Sequence, residues 1–206
     1  MKNHYYENFG PGEFYHVYNR GNAKEKIFMD ADDYKFFLLR LKQNLFPEEN
    51  DELRIQKLPD KSFSLIWYCL MPNHFHFLIK QNNEIPISKL MTKLCTSYSM
   101  YFNKKYNRVG HVFQNRFKHI LIQNDEYLKW LSCYIHQNPK VGGIIQCLED
   151  YRWSSFGQYI YGKGDISCEN DIVLCHFKSS EEYKRYVNES YEIIKNNKGI
   201  EHLFLD

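Results

Sequence analysis

Between residues 63 and 80 the chain runs two apolar, strand-forming stretches, Phe63–Leu70 and His74–Lys80, back to back around the short turn Met71-Pro72-Asn73. Both are rich in aromatic and aliphatic residues and are of strand length, so the segment reads as a β-hairpin. Side chains alternate faces along a strand. Phe75, Phe77 and Ile79 therefore point one way, while His74 and His76 point together to the other face.

The flanking sequence supplies the partners of this hairpin. Phe14 to Asn19 reads as a first strand, broken by Arg20-Gly21-Asn22. Asp30 to Phe46 has Tyr34, Phe37, Leu38 and Leu41 at helical spacing, with Asp30 or Asp32 as its cap. Pro47 to Lys61 is charged, holds two prolines and reads as a loop or insertion. Ile87 to Lys105 predicts a long helix with Leu90, Met91, Leu94, Tyr98 and Tyr101 on one stripe, broken at Asn107 to Gly110. Arg116 to Gln123 predicts a fourth strand. Asn124 is an N-cap candidate, with Asp125 and Glu126 suited to the positive helix end, and that helix is expected to run to about Gln137, ended by Pro139 and Gly142-Gly143. Tyr151 to Tyr161 is aromatic and of no clear type, and Ser180 to Lys195 predicts an amphipathic helix.

The order β-α-β-β-α-β is the split βαβ pattern of the ferredoxin-like fold. The expectation is an α+β sandwich: an antiparallel sheet with helices on one face, a further helix carrying Tyr134, and a C-terminal helical extension. Residues 1–160 are expected to form one catalytic domain with an insertion at about 47–61, and residues 161–206 the extension.

With 27 Lys and Arg against 25 Asp and Glu the chain is nearly neutral, at +2, but the charge is unevenly placed. Pro86 to Lys140 holds nine basic and two acidic residues, a net +7, which leaves −5 for the rest. A basic middle between acidic ends is an electrostatic footprint for phosphates. The 17 tyrosines and 15 phenylalanines fill an aromatic-rich core or, where they reach the surface, offer rings on which bases can stack. Six cysteines without a CxxC spacing, and no apolar leader before Gly12, predict reduced thiols and a cytoplasmic protein. The apolar run Phe63–Met71 is too short to span a bilayer, so no membrane association is expected.

Two imidazoles at i and i+2 on one strand face are well spaced for one cation, although an H-x-H pair alone is more often structural. Tyr134 and Asn138 are four apart on the last predicted helix and share a face. A tyrosine there more often packs with its hydroxyl bonded; the polar cluster His136-Gln137-Asn138 argues for more than packing. A metal facing a tyrosine suggests phosphodiester chemistry. Arg116 and Lys118 alternate to one strand face beside His119, and Lys104, Lys105 and Arg108 end the preceding helix; all six are candidates for phosphate contact.

These motifs resemble a known family. Met71-Pro72-Asn73-His74-Phe75-His76 resembles the HUH motif of single-tyrosine transposases, Gly110-His111-Val112-Phe113-Gln114-Asn115-Arg116-Phe117 the stretch that follows it, Tyr134-Ile135-His136-Gln137-Asn138-Pro139 the family's tyrosine signature, and Trp153-Ser154-Ser155 its later element. In order and spacing, from Phe14 to Tyr159, they are similar to the REP-associated tyrosine transposases, relatives of the insertion sequence 200-like enzymes. The resemblance implies a ferredoxin-like DNA strand transferase acting on single strands at hairpin-forming repeats, as a monomer or a homodimer. It implies His74, His76 and Asn138 as ligands of Mg²⁺ or Mn²⁺, and Tyr134 as the nucleophile that forms a 5′-phosphotyrosine. Because two of these ligands are nitrogens, Zn²⁺ is a further candidate in the purified protein. Two other readings remain open: a non-catalytic module binding single-stranded nucleic acid, and a metal-dependent hydrolase using water.

Overall fold

The computed structural model describes residues 9–47 and 57–196. Most of the expected insertion and both chain ends lie outside the described residues. Strands β1 (Phe14–Arg20), β2 (Phe63–Met71), β3 (His74–Gln81) and β4 (Lys118–Leu121) form one sheet in the order β2-β3-β1-β4, every neighbouring pair antiparallel. Helix α1 (Ala31–Leu45) joins β1 to β2, and α2 (Ile87–Lys105) joins β3 to β4. This is the βαββαβ ferredoxin-like arrangement, with β1 and β3 in the centre. Asp30 starts α1: its carboxylate accepts from the backbone N–H groups of Asp32 and Asp33, and the Asp33 side chain answers to the backbone of Asp30.

Strand alternation divides the interior into two layers. Tyr15, Val17, Phe75, Phe77 and Ile79 meet Phe37 and Leu41 of α1 and Leu90, Leu94 and Tyr98 of α2 on one face. Trp67, Cys69, Met71 and Leu78 face the other way, onto α3 (Asp125–Val141). The two histidines therefore look into a layer covered by a helix.

Three expected boundaries move, each for a local reason. The fourth strand is Lys118–Leu121 rather than Arg116–Gln123, because the chain before it is pinned as a loop: Gln114 N donates to Arg20 O at 2.9 Å and Asn19 Nδ2 to Asn115 O at 3.1 Å. Helix α3 runs on to Val141 with Pro139 inside it. The proline costs one backbone bond, but Gly142 N still donates to Asn138 O at 2.8 Å, and Gly143, at φ 71°, ends the run. The helix expected over Ser180–Lys195 is two, α6 (Ser180–Glu189) and α7 (Tyr191–Asn196), parted at Ser190, whose hydroxyl bonds Tyr186 O at 2.8 Å.

The stretch Tyr151 to Tyr161 turns through Trp153-Ser154-Ser155 into α4 (Phe156–Tyr161), and α5 (Asp171–Leu174) follows. Leu70 N donates to Trp153 O at 2.8 Å, Ser155 N to Tyr68 O at 2.9 Å and Glu169 N to Leu65 O at 2.8 Å. These bonds cover the otherwise open edge of β2. Tyr183, Val187 and Ile194 of the tail are buried in the second layer with Leu131 and Ile135 of α3.

Candidate active site

The histidine pair begins at a turn held from three sides. Pro72 O accepts from Ile27 N and Phe28 N at 2.8 and 3.0 Å, and Asn73 O from Gly21 N at 2.8 Å. Asn73 Nδ2 donates to Lys24 O at 3.2 Å, which turns its Oδ1 toward His74 Nδ1, 2.6 Å away. That oxygen can only accept, so Nδ1 of His74 carries the proton and Nε2 keeps its lone pair. Two residues on, the His76 ring lies 5.0 Å from the His74 ring, centroid to centroid, at 88°.

A third histidine, which the sequence pattern does not single out, completes the arrangement. His16 of β1 is fully buried, and its Nε2 lies 2.9 Å from His76 Nδ1. The two rings stack at 5.2 Å, with Tyr18 beside them. His76 Nε2 is buried without a hydrogen-bond partner. Each histidine of the pair thus has Nδ1 engaged: Nε2 of His74 keeps its lone pair, and Nε2 of His76 is a ligand in the tautomer in which His76 Nδ1 donates to His16, the pattern of metal-ligating imidazoles oriented by a second layer of groups. The donor chemistry therefore fits a divalent cation. Burial, and then the charge of Arg20, push His74 down to about 3; burial, then His74 and His16, take His76 well below the usual range; burial takes His16 to about 3. All three are neutral at physiological pH, the form that ligates. Among the described residues no group of three or more His, Cys, Asp or Glu is placed to hold a metal, so a third ligand from those residues would be of another type.

Helix α3 carries the remaining candidates. Tyr134 is buried, at 5% exposure, in the layer that also holds Met71 and Leu78, and its ring stacks on Trp130 at 5.4 Å. Asn138, one turn on, has a buried Nδ2 with no hydrogen-bond partner. The end of this helix lies over the start of β3: a Cβ on Gly142 would approach Met71 Cε to 3.2 Å, and Met71 pairs with His74. The other two residues of the polar cluster do structural work instead. His136 Nδ1 meets Tyr183 Oη at 2.7 Å and Nε2 meets Ser155 Oγ at 2.9 Å, while Gln137 Nε2 donates to Val187 O at 2.6 Å.

The six basic candidates separate. Lys105 is held by Asp30 and Asp33 at 2.7 and 2.8 Å, tying α2 to α1, and Arg108 is paired with Glu25 at 2.8 Å. His119 is half-buried against Phe9, with ring centroids at 4.5 Å, and its register opposite Val17 turns it from the histidine face. Lys104 is exposed on α2. Arg116 and Lys118 line a pocket of about 200 Å³ with Tyr18, Arg20 and Lys24.

Residues 15–138 match the family model described as "Transposase IS200 like". A Haemophilus influenzae protein named for the REP-associated tyrosine transposases is 31% identical over 130 residues, covering 53% of this chain and 73% of that protein. The chain belongs to the IS200-like transposase family, among its REP-associated tyrosine transposases. A solved structure described as a REP-associated tyrosine transposase bound to a REP hairpin superposes with a TM-score of 0.57 at 15% identity, over 81% of this chain and 92% of that one. At that identity the match bears on the fold alone, and it agrees with the ferredoxin-like sheet. A transposase is an enzyme that acts on DNA. Among the described residues no helix of this transposase is long and apolar enough to cross a membrane.

Proposed function

We propose that this transposase cleaves and rejoins single-stranded DNA at hairpin-forming repeats through a covalent bond to Tyr134. The observation that carries the reading is the pair of Nε2 atoms on His74 and His76 without hydrogen-bond partners, each imidazole oriented through its other nitrogen. With the Asn138 amide as third ligand they would hold Mg²⁺ or Mn²⁺; the nitrogen-rich set suits Mn²⁺ better, and Zn²⁺ would also fit. Bound there, a divalent cation supplies the charge that draws electrons from the scissile phosphate and favours the phenolate form of a tyrosine.

Tyr134 Oη attacks the phosphorus. The new O–P bond forms as the bond to the 3′-oxygen breaks, and the phenolic proton ends on that oxygen. The products are a 5′-phosphotyrosine and a free 3′-hydroxyl. The covalent bond keeps the phosphodiester energy, so attack by another 3′-hydroxyl rejoins the strand without ATP.

The test uses labelled single-stranded oligonucleotides that carry a hairpin-forming repeat, with Mn²⁺, on a denaturing gel. The intact chain should form a protein–DNA adduct. Tyr134→Phe should form none while binding the DNA as before. Nicked DNA without adduct would indicate a hydrolase, and binding without cleavage a non-catalytic module; either result overturns the proposal.

A further inference from the structure

The pocket lined by Arg116 and Lys118 also receives two cations from the turn after β1. Arg20 and Lys24 enter it from one side, with Tyr18 and Gln114 among the remaining walls, and no Asp or Glu lines it. Arg20 is half-buried, its Nε is out of reach of water and has no hydrogen-bond partner, and no carboxylate pairs with Arg20, Lys24 or Lys118 among the described residues. The unpartnered Nε of Arg20 and a wall that carries Lys24 and Lys118 but no acid suit an anion.

The turn is built to hold that arrangement. Gly21 is obligatory, because a Cβ there would sit 2.1 Å from Glu25 O. Ala23 and Lys24 both adopt left-handed backbone, at φ 51° and 62°. Such conformations persist only where the surroundings impose them. Here Gly21 is bonded to the histidine turn through Asn73 O, and Asn22 N donates to Val112 O at 2.9 Å. Register sets the location: Arg20 pairs with His74 across β1 and β3, and Tyr18 pairs with His76.

We propose that Arg20, with Lys24, Arg116 and Lys118, forms a phosphodiester-binding pocket that seats a DNA backbone phosphate immediately beside the histidine pair. The proposal rests on the reading of the chain as a single-strand DNA enzyme and adds which backbone-binding groups flank the reacting centre. A planar guanidinium offers the paired donors that phosphate oxygens accept.

The test is binding of a fluorescein-labelled single-stranded oligothymidylate to the full chain carrying Tyr134→Phe, in EDTA, across a series of KCl concentrations. Removing one cation that neutralises a phosphate of a single strand lowers the slope of log affinity against log salt by about 0.7. Arg20→Gln should lower it by that amount and weaken binding about tenfold. Arg20→Lys should restore the slope, and Lys35→Gln, on α1 at the other sheet face, should leave it unchanged. If Arg20→Gln melts early, Lys24→Gln with Arg116→Gln serves in its place, with a slope change of about 1.4. An unchanged slope in a folded variant, or a parent that does not bind at low salt, overturns the pocket. The adduct assay fails independently: adduct formation with an unchanged slope keeps strand transfer and removes the pocket, and a slope change without adduct does the reverse.

Discussion

His16 illustrates how much a single residue can decide at this site. Its Nε2 lies against His76 Nδ1, fully buried, so it holds the ring orientation and, as the acceptor of the Nδ1 proton, would leave His76 Nε2 with its lone pair. Partners of this kind are typically worth about 10–100-fold in metal affinity. His16→Leu is therefore expected to weaken Mn²⁺ binding to that extent in isothermal titration, and His16→Gln, which keeps an acceptor, to recover most of it. A leucine variant that stays folded and binds Mn²⁺ like the parent would sink this role. The sequence named His74 and His76 because they sit two apart on one strand. His16 lies on a different strand, and only the β1–β3 pairing reveals it.

At the scale of the element, α3 is a helix with two occupied sides. One presents Tyr134 to the sheet; the other plants His136 between Tyr183 and Ser155. The sequence marked Trp153-Ser154-Ser155 as a motif, and the structure gives it a job: it seals the β2 edge and receives His136. Burial pushes His136 down to about 3 from 6.5. The unfolded chain thus takes up a proton below pH 6.5 that the native state refuses until about pH 3. Stability is full above that upper value and is lost as pH falls toward the lower one, on the order of 1 kcal/mol per pH unit for each such histidine. Urea unfolding between pH 7 and 5 should show this slope, and His136→Gln, though less stable, should show it reduced by one proton. Equal slopes would contradict the assignment.

Over the whole molecule, the tail is more than an appendage in the contacts it makes. Ile166 and Cys168 reach the first apolar layer, while Val173, Tyr183, Val187 and Ile194 close the second one over α3. Ending the chain at Gly162 would return these side chains and the facing side of α3 to water, at about 1.5–3 kcal/mol for each large apolar side chain. The shortened chain is expected to lose its cooperative melting transition by circular dichroism; a transition at the parent's temperature would show that the tail is dispensable. The sequence alone determined the order of the four strands and the helices α1 to α3, the Asn124 cap and the shared face of His74 and His76, because periodicity and capping are local and are written in neighbouring residues; between Asp30 and Asp32 as the cap of α1 the structure decided for Asp30. It located a basic middle but could not sort it. Lys105 and Arg108 are consumed by Asp30, Asp33 and Glu25, whereas Arg20 and Lys24, outside the basic segment, converge with Arg116 and Lys118. Charge and hydrogen-bond partnership depend on which distant residues the sheet register brings within a few ångströms. For that reason the tertiary structure alone decided which imidazole nitrogens stay available and which cations gather into one pocket.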